Sequence, residues 1–266
     1  MKIDIKEINN IAREAGEEIL KFYAIDFDVS YKTNDKSSPF TEADLASNRI
    51  ILERLKKHNF PILSEESVDD KARLNSEYVW MVDPLDGTSD FVGKTDEFSV
   101  MIGLVKDGNP ILGVVYEPAK KIMYFAEKGK GAFMEKDGPV FKLEVSNKSK
   151  FKDMTILFSR NHLLDSDIKL CENLKIGKQI KRGSTSKMCV IARGDAEIYV
   201  NTSDRTGEWD TCAPQVILEE AGGKVTDMDG NNLRYNKKIP KNKNGFVATN
   251  KTRHNDIVRE LNNIIV

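Results

Sequence analysis

The chain has 266 residues, 39% apolar and 31% charged, a balance that excludes an unstructured chain and gives ample material for a buried core. Forty-one basic against forty-two acidic residues leave a net charge of −1, so no overall field draws the chain to nucleic acid or to a membrane surface. No uncharged apolar run approaches the ~18 residues of a membrane span, the N-terminus lacks a signal-peptide core, and three cysteines without Cys-x-x-Cys spacing argue against disulfides or zinc, making a reducing cytoplasm the expected setting.

In chain order, Asp4 and Glu7 form a capping-box pattern. Ile5, Ile8, Ala12, Ala15 and Ile19 then recur at helical steps. A polar stretch from Lys32 to Ser38 ends at Pro39 and predicts a loop. Thr41 with Asp44 opens a second helix carrying Leu45, Ile51, Leu52 and Leu55. The period then shortens. Pro61–Ser64 and Tyr78–Val82 are strand candidates that run into Glu65-Glu66 and Asp83. Phe98–Val105, Ile111–Tyr116 and Ile122–Glu127, separated by turn residues, predict an antiparallel meander with Tyr116, Tyr124, Phe125 and Phe133 in its core.

Beyond the polar segment Ser146–Lys152 the pattern alternates. Strands are expected at Met154–Phe158, Gln179–Lys181, Glu197–Val200, Val225–Met228 and Gly245–Thr249. Helices are expected at Ser166–Leu174, Ser186–Arg193, about Asp210 to Ala221 and Thr252–Ile265. Pro214 suits the first turn of the third of these, and Cys212 beside it is expected to pack as a small buried residue. Asn231–Asn244 is expected to be a solvated, lysine-rich loop. The fold class is therefore α/β: an α+β half over 1–150 and an α/β half over 151–266, with a site at their junction.

Chemistry concentrates at Asp83-Pro84-Leu85-Asp86-Gly87-Thr88. Two carboxylates three residues apart at a strand's end can converge on one point. Gly87 can take positive φ and let the backbone approach a ligand, and a helical turn starting at Thr88 would aim free N–H groups at an anion. An Asp-Gly pair alone equally marks a turn, and Asp44 alone is explained as a helix-dipole acid. Glu65 at the end of a second strand and Asp210 at the start of a distant helix give these residues a common purpose. Carboxylates without His or Cys suit a hard cation such as magnesium.

The strings Ser64-Glu65-Glu66-Ser67, Asp83–Thr88 and Glu208-Trp209-Asp210-Thr211 together resemble the inositol monophosphatase superfamily over nearly the whole chain. Ser38–Asp44, Asp86–Phe91, Ser159-Arg160-Asn161-His162, Gly183-Ser184 with Lys187, and Glu208–Pro214 are most similar to its branch of CysQ-type 3'(2'),5'-bisphosphate nucleotidases. The resemblance implies a layered αβαβα sandwich and a magnesium-dependent, lithium-sensitive phosphomonoesterase with two or three ions per site. It implies that Glu65, Asp83 and the Leu85 carbonyl hold one ion and that Asp83, Asp86 and Asp210 hold a second. Asp44 and Thr88, with Glu65, would activate the attacking water. Asp86, Gly87, Thr88, His162, Ser184, Lys187 and Asp210 would contact the substrate, and Glu66 would stay outside the ligand set.

One departure stands out. The nucleotidase branch carries an arginine after the strand Glu197–Val200; here Asn201 stands there, with Arg205 as the nearby guanidinium. The implied reaction is hydrolysis of adenosine 3',5'-bisphosphate to AMP and phosphate. The alternative within the same chemistry is an inositol or sugar monophosphatase, fructose 1,6-bisphosphate included. A silent nucleotide-binding module and a nucleic-acid binder using Lys237–Lys243 are the rivals of other classes. The expected partner is a small phosphorylated molecule, with no nucleic acid or membrane, and the expected assembly is a monomer or homodimer.

Overall fold

The computed structural model describes residues 3–24, 30–31, 39–161 and 163–265. Along the chain run α1 (Ile5–Tyr23), β1 (Ser30–Tyr31), β2 (Pro39–Phe40), α2 (Glu42–Leu55), β3 (Ile62–Ser64), β4 (Tyr78–Asp86) and α3 (Thr88–Val92). They are followed by β5 (Ser99–Lys106), β6 (Asn109–Glu117), β7 (Ile122–Glu127), β8 (Gly131–Lys136) and β9 (Val140–Lys142). The second half holds β10 (Thr155–Ser159), α4 (Asp165–Leu174), β11 (Lys178–Arg182), α5 (Lys187–Ala192), β12 (Ile198–Asn201), α6 (Glu208–Glu220), β13 (Lys224–Thr226), β14 (Phe246–Thr249) and α7 (His254–Ile265).

Side-chain alternation builds five layers from these elements. In β4, Trp80 and Val82 face α1 and α2 and join Ile8, Ala12, Ile19 and Ile51. Val79 and Met81 point the other way, toward Cys189 and Ala213 of α5 and α6. In β12, Tyr199 also faces that middle helical layer, while Ile198 and Val200 face Leu170 of α4 and Ile257 of α7. The order is thus helix, sheet, helix, sheet, helix, as the α/β expectation has it. The first sheet keeps chain order from β3 to β9, antiparallel throughout except for the parallel β3–β4 pair. The second has the order β11-β10-β12-β14-β13.

The middle layer lies close against the first sheet because two glycines leave room for it. Gly103 and Gly113 are register partners in β5 and β6. A Cβ on the first would overlap Cys212, and one on the second the Ala213 carbonyl. Cys212 is fully buried there, as expected. This contact sets the depth of α6 and hence the position of Asp210 at its start.

Several expectations are corrected. Glu7 does not close a capping box on Asp4; its carboxylate lies 2.8 Å from His58 Nε2 and 2.9 Å from Lys57 Nζ. Strands β8 and β9 extend the meander beyond its expected end, and β4 continues through Pro84 to Asp86 with a register shift. Strand β13 stops at Thr226, because the Asp227 carboxylate accepts from the amides of Asp229 and Asn231 and turns the chain. Helix α6 starts two residues earlier than expected, so Pro214 is interior and offers no N–H to the Asp210 carbonyl.

The 231–244 segment is a strap rather than a merely solvated loop. Leu233, Tyr235 and Asn242 are buried, and Tyr235 Oη donates to Gln215 of α6 at 2.6 Å. The Lys32–Ser38 stretch lies outside the described residues.

Candidate active site

Strand ends and helix starts converge on one cleft between the two sheets. Strand β3 leads into Glu65, β4 ends in Asp83–Asp86, and α6 opens with Asp210. Oxygen atoms of Asp83, Asp86 and Asp210 all lie within 4.8 Å of one another. Asp83 and Asp86 are buried and Asp210 is half-buried.

Each carboxylate is held from its own side. Asp83 Oδ1 accepts from the Leu85 amide at 3.1 Å, while its buried Oδ2 has no partner among the described residues. Asp86 Oδ2 accepts from the Ser184 hydroxyl and, at 2.5 Å, from the Thr185 amide. Asp210 caps α6 by accepting from the Gly207 amide. Burial holds the Asp83 carboxyl well above the ordinary carboxylate range, and the charges of Glu65, Asp86 and Asp210 push it further. Asp210 is raised for the same reasons, burial first and then Glu65 and Asp86. Burial also raises Asp86, against the lowering effect of Ser184 and of the Lys187 charge. Three crowded acids with an orphaned oxygen and no His or Cys among them fit a hard divalent cation, which would relieve the repulsion.

Helix α2 braces this cluster through a polar stripe. Asp44, Ser47 and Asn48, at helical i, i+3 and i+4 spacing, are all buried. Ser47 Oγ donates to the Pro84 carbonyl at 2.7 Å. Asn48 accepts from Ser64 Oγ at 2.7 Å and donates to Ser67 Oγ at 3.0 Å, pinning the turn that carries Glu65 and Glu66. Asp44 faces two ways. Its Oδ2 caps α2 through the Thr41 amide and hydroxyl, and its Oδ1 lies 3.3 Å from Thr88 Oγ1. That hydroxyl also reaches the Leu85 carbonyl at 3.2 Å. Between Asp86 and Thr88, Gly87 sits at φ +90°, where a Cβ would also strike the Glu97 carbonyl.

Glu65 lines the cleft beside Asp86 and Asp210 but lies outside the tight three-carboxylate group. Ser184 and Lys187 line it too. The Ser184 hydroxyl faces Asp86, and Lys187 Nζ donates to the carbonyls of Ser184 and, at 3.2 Å, Arg182. Burial pushes the Lys187 amine down to about 8, against the raising charge of Asp86. His162 lies outside the described residues. Arg205 lines the cleft, while Asn201 Oδ1 is engaged by the Ser203 amide and hydroxyl.

The sequence reading missed Thr185, Asp167 and Tyr199. Thr185 follows the Gly183-Ser184 motif and acts through its amide, which any residue there supplies. Asp167 and Tyr199 line the far part of the cleft and sit in runs whose periodicity announces only helix and strand.

A model of the "Inositol monophosphatase family" matches residues 4–265. The chain belongs to the inositol monophosphatase family. Within it, the chain falls in the CysQ-type branch: curated relatives of that type are 31–38% identical. A 3'(2'),5'-bisphosphate nucleotidase CysQ of Salmonella typhimurium is 35% identical over 87% of this chain and 93% of its own. Among solved structures, CysQ from Bacteroides thetaiotaomicron is 32% identical with a TM-score of 0.79, covering 92% of this chain and 96% of its own. The suhB protein of Bartonella henselae is 27% identical with a TM-score of 0.81, covering 97% of each chain. The family fold therefore accounts for both sheets and all the elements that carry the cluster. No described helix is long and apolar enough to cross a membrane.

Proposed function

We propose that this family member is a magnesium-dependent phosphomonoesterase that converts adenosine 3',5'-bisphosphate to AMP and phosphate. The observation that carries the reading is the convergence of Asp83, Asp86 and Asp210 within 4.8 Å, in a chain 35% identical to a CysQ-type nucleotidase. Asp83, Asp86 and Asp210 would hold one magnesium ion, and Glu65, Asp83 and the Leu85 carbonyl another, with room for a third left to experiment. Bound there, magnesium supplies positive charge opposite the phosphate and the departing oxygen.

The chain's own residues do the rest. The Thr88 hydroxyl, 3.3 Å from Asp44 Oδ1, orients a water, and Asp44 takes its proton as the water oxygen bonds to phosphorus. The bond from phosphorus to the ribose 3'-oxygen breaks, and that oxygen takes a proton from solvent water and leaves as the 3'-alcohol of AMP. Glu65 assists at the water. Amides at Gly87 and Thr88 would cradle the phosphate. His162, Ser184 and Lys187 belong to the substrate side, and Arg205 is assigned to the second phosphate in place of an arginine at Asn201. The reading takes the chain as two halves, 1–150 and 151–266, in the cytoplasm, alone or as a homodimer.

The second reading is an inositol or sugar monophosphatase, favoured by Asn201 standing where the nucleotidase branch carries arginine. Phosphate release from adenosine 3',5'-bisphosphate, inositol 1-phosphate and fructose 1,6-bisphosphate, measured side by side, decides between them. The first reading expects the nucleotide to lead in kcat/KM by at least an order of magnitude. Equal turnover of all three rejects it.

A further inference from the structure

Away from the metal end, the cleft wall is built from the start of α4 and from β12, with Asn161, Leu164, Asp167, Tyr199 and Asn201 facing it. Asp167 is the anomaly there. Only 5% of it is exposed, yet it is ionisable and makes no ion pair among the described residues. Its Oδ2 is accounted for, because it accepts from the Leu164 amide at 3.0 Å and caps α4. Its Oδ1 is buried and has no hydrogen-bond partner among the described residues. An orphaned acceptor inside a protein is costly unless something supplies a donor, and Asp167 lines the cleft that a ligand would enter.

The surroundings say what kind of group would supply it. Tyr199 lines the same wall, and the centre of its ring lies 4.7 Å from Lys187 Nζ. Leu164 and the Tyr199 ring give the wall apolar surface for a flat ring. Burial also raises the Asp167 carboxyl above its ordinary range, consistent with a wall that holds an uncharged donor rather than a cation. We propose that Asp167 is a specificity-determining residue whose Oδ1 accepts a hydrogen bond from the exocyclic amine of a purine base. The proposal rests on the nucleotide reading above and assigns a residue to base selection within it.

The test compares three substrates with magnesium present: adenosine 3',5'-bisphosphate, purine riboside 3',5'-bisphosphate, which lacks the amine, and 2'-deoxyadenosine 3',5'-bisphosphate, which lacks the other nearby donor. The variant is Asp167→Asn. Its amide oxygen keeps the cap on Leu164, and its amide nitrogen turns toward the cleft, replacing an acceptor with a donor. The wild-type enzyme should lose roughly 10- to 100-fold in kcat/KM when the amine is absent and little when the 2'-hydroxyl is absent. In Asp167→Asn the amine preference should vanish, the ratio of kcat/KM between the adenosine and purine riboside substrates falling to about one. An equal loss on both base analogues would mean a structural cap only, and an unchanged amine preference would mean that another group reads the base. Discrimination residing in the 2'-hydroxyl would also overturn the proposal. If the wild type releases no phosphate from the adenosine substrate, the parent reading fails first.

Discussion

The Thr185 amide donates to Asp86 Oδ2 at 2.5 Å, although the two residues are 99 apart in the chain. The first sheet supplies the carboxylate and the loop before α5 supplies its anchor, so the geometry of the cluster depends on both halves. The Ser184 hydroxyl adds a second donor to the same oxygen and touches Ser99 Oγ at 3.0 Å. Partners of this kind orient a metal ligand, and losing one typically weakens metal affinity 10- to 100-fold. Ser184→Ala should therefore raise the magnesium concentration for half-maximal activity by roughly tenfold, with the Thr185 amide left to hold the remainder. A magnesium titration of activity measures this, and an unchanged midpoint would show that the hydroxyl does not position Asp86.

The acid cluster makes a prediction about stability without metal. The folded-state pKa values of Asp83 and Asp210 are raised. Their contribution is thus fully present below the ordinary aspartate pKa and is lost as pH rises toward the folded value. Metal-free protein should lose more melting temperature between pH 5 and 7.5 than Asp83→Asn does. At pH 7.5 the variant should be the more stable by about 1–2 kcal/mol, roughly 2–4 °C for a chain of this length, and inactive. Magnesium should raise the wild-type melting temperature more at pH 7.5 than at pH 5. Scanning calorimetry in chelator and in magnesium reads all three effects.

Gly113 offers a purely steric test. A Cβ there would overlap the Ala213 carbonyl, which belongs to the helix backbone and cannot rotate away. Gly113→Ala should cost about 1–3 kcal/mol, and by displacing α6 it should also weaken metal binding through Asp210. Gly129→Ala, where a Cβ would meet nothing within 4 Å although φ is +79°, serves as the comparison, losing stability through backbone strain alone and leaving metal binding intact.

His254 gives a pH prediction remote from the site. It is buried between Thr226 Oγ1 at 2.8 Å and Thr249 Oγ1 at 2.9 Å. Burial, with a smaller effect of the Lys224 charge, lowers its pKa to about 4. The unfolded chain binds this proton near pH 6.5 and the folded one only near 4, so stability falls as pH drops through that window. The slope approaches about 1.4 kcal/mol per pH unit for this one group. Urea unfolding at several pH values should show that slope in the wild type and lack it in His254→Gln.

Much of this was legible before any coordinates. The carboxylate strings located the site because their chemistry depends on residue type, the order of helices and strands followed from apolar periodicity, and the layered sandwich was what the family resemblance implied. What could not be read was long-range polar structure. Glu208 illustrates it: the residue is fully buried and accepts from the amides of Asn236 at 2.6 Å and Lys237 at 3.0 Å. Those bonds fold the lysine-rich strap over the start of α6, yet composition there announces only a solvated loop. The strap is clamped from the other side by Arg73, also fully buried, through Asn236 Oδ1 at 2.6 Å and the Lys237 carbonyl at 2.9 Å. Likewise Asp44 was ambiguous in the sequence because its two oxygens have different partners: one caps a helix and the other faces Thr88. The short strand β9 has all three residues exposed, so it had no buried face to betray it.

The central claim is that Asp83, Asp86 and Asp210 jointly cage a divalent cation. Crystals soaked in manganese, measured for anomalous scattering, test it most directly. The account predicts a strong anomalous peak within coordination distance of oxygens from all three residues. A fully occupied crystal with its manganese elsewhere, or with none bound between these side chains, would contradict it.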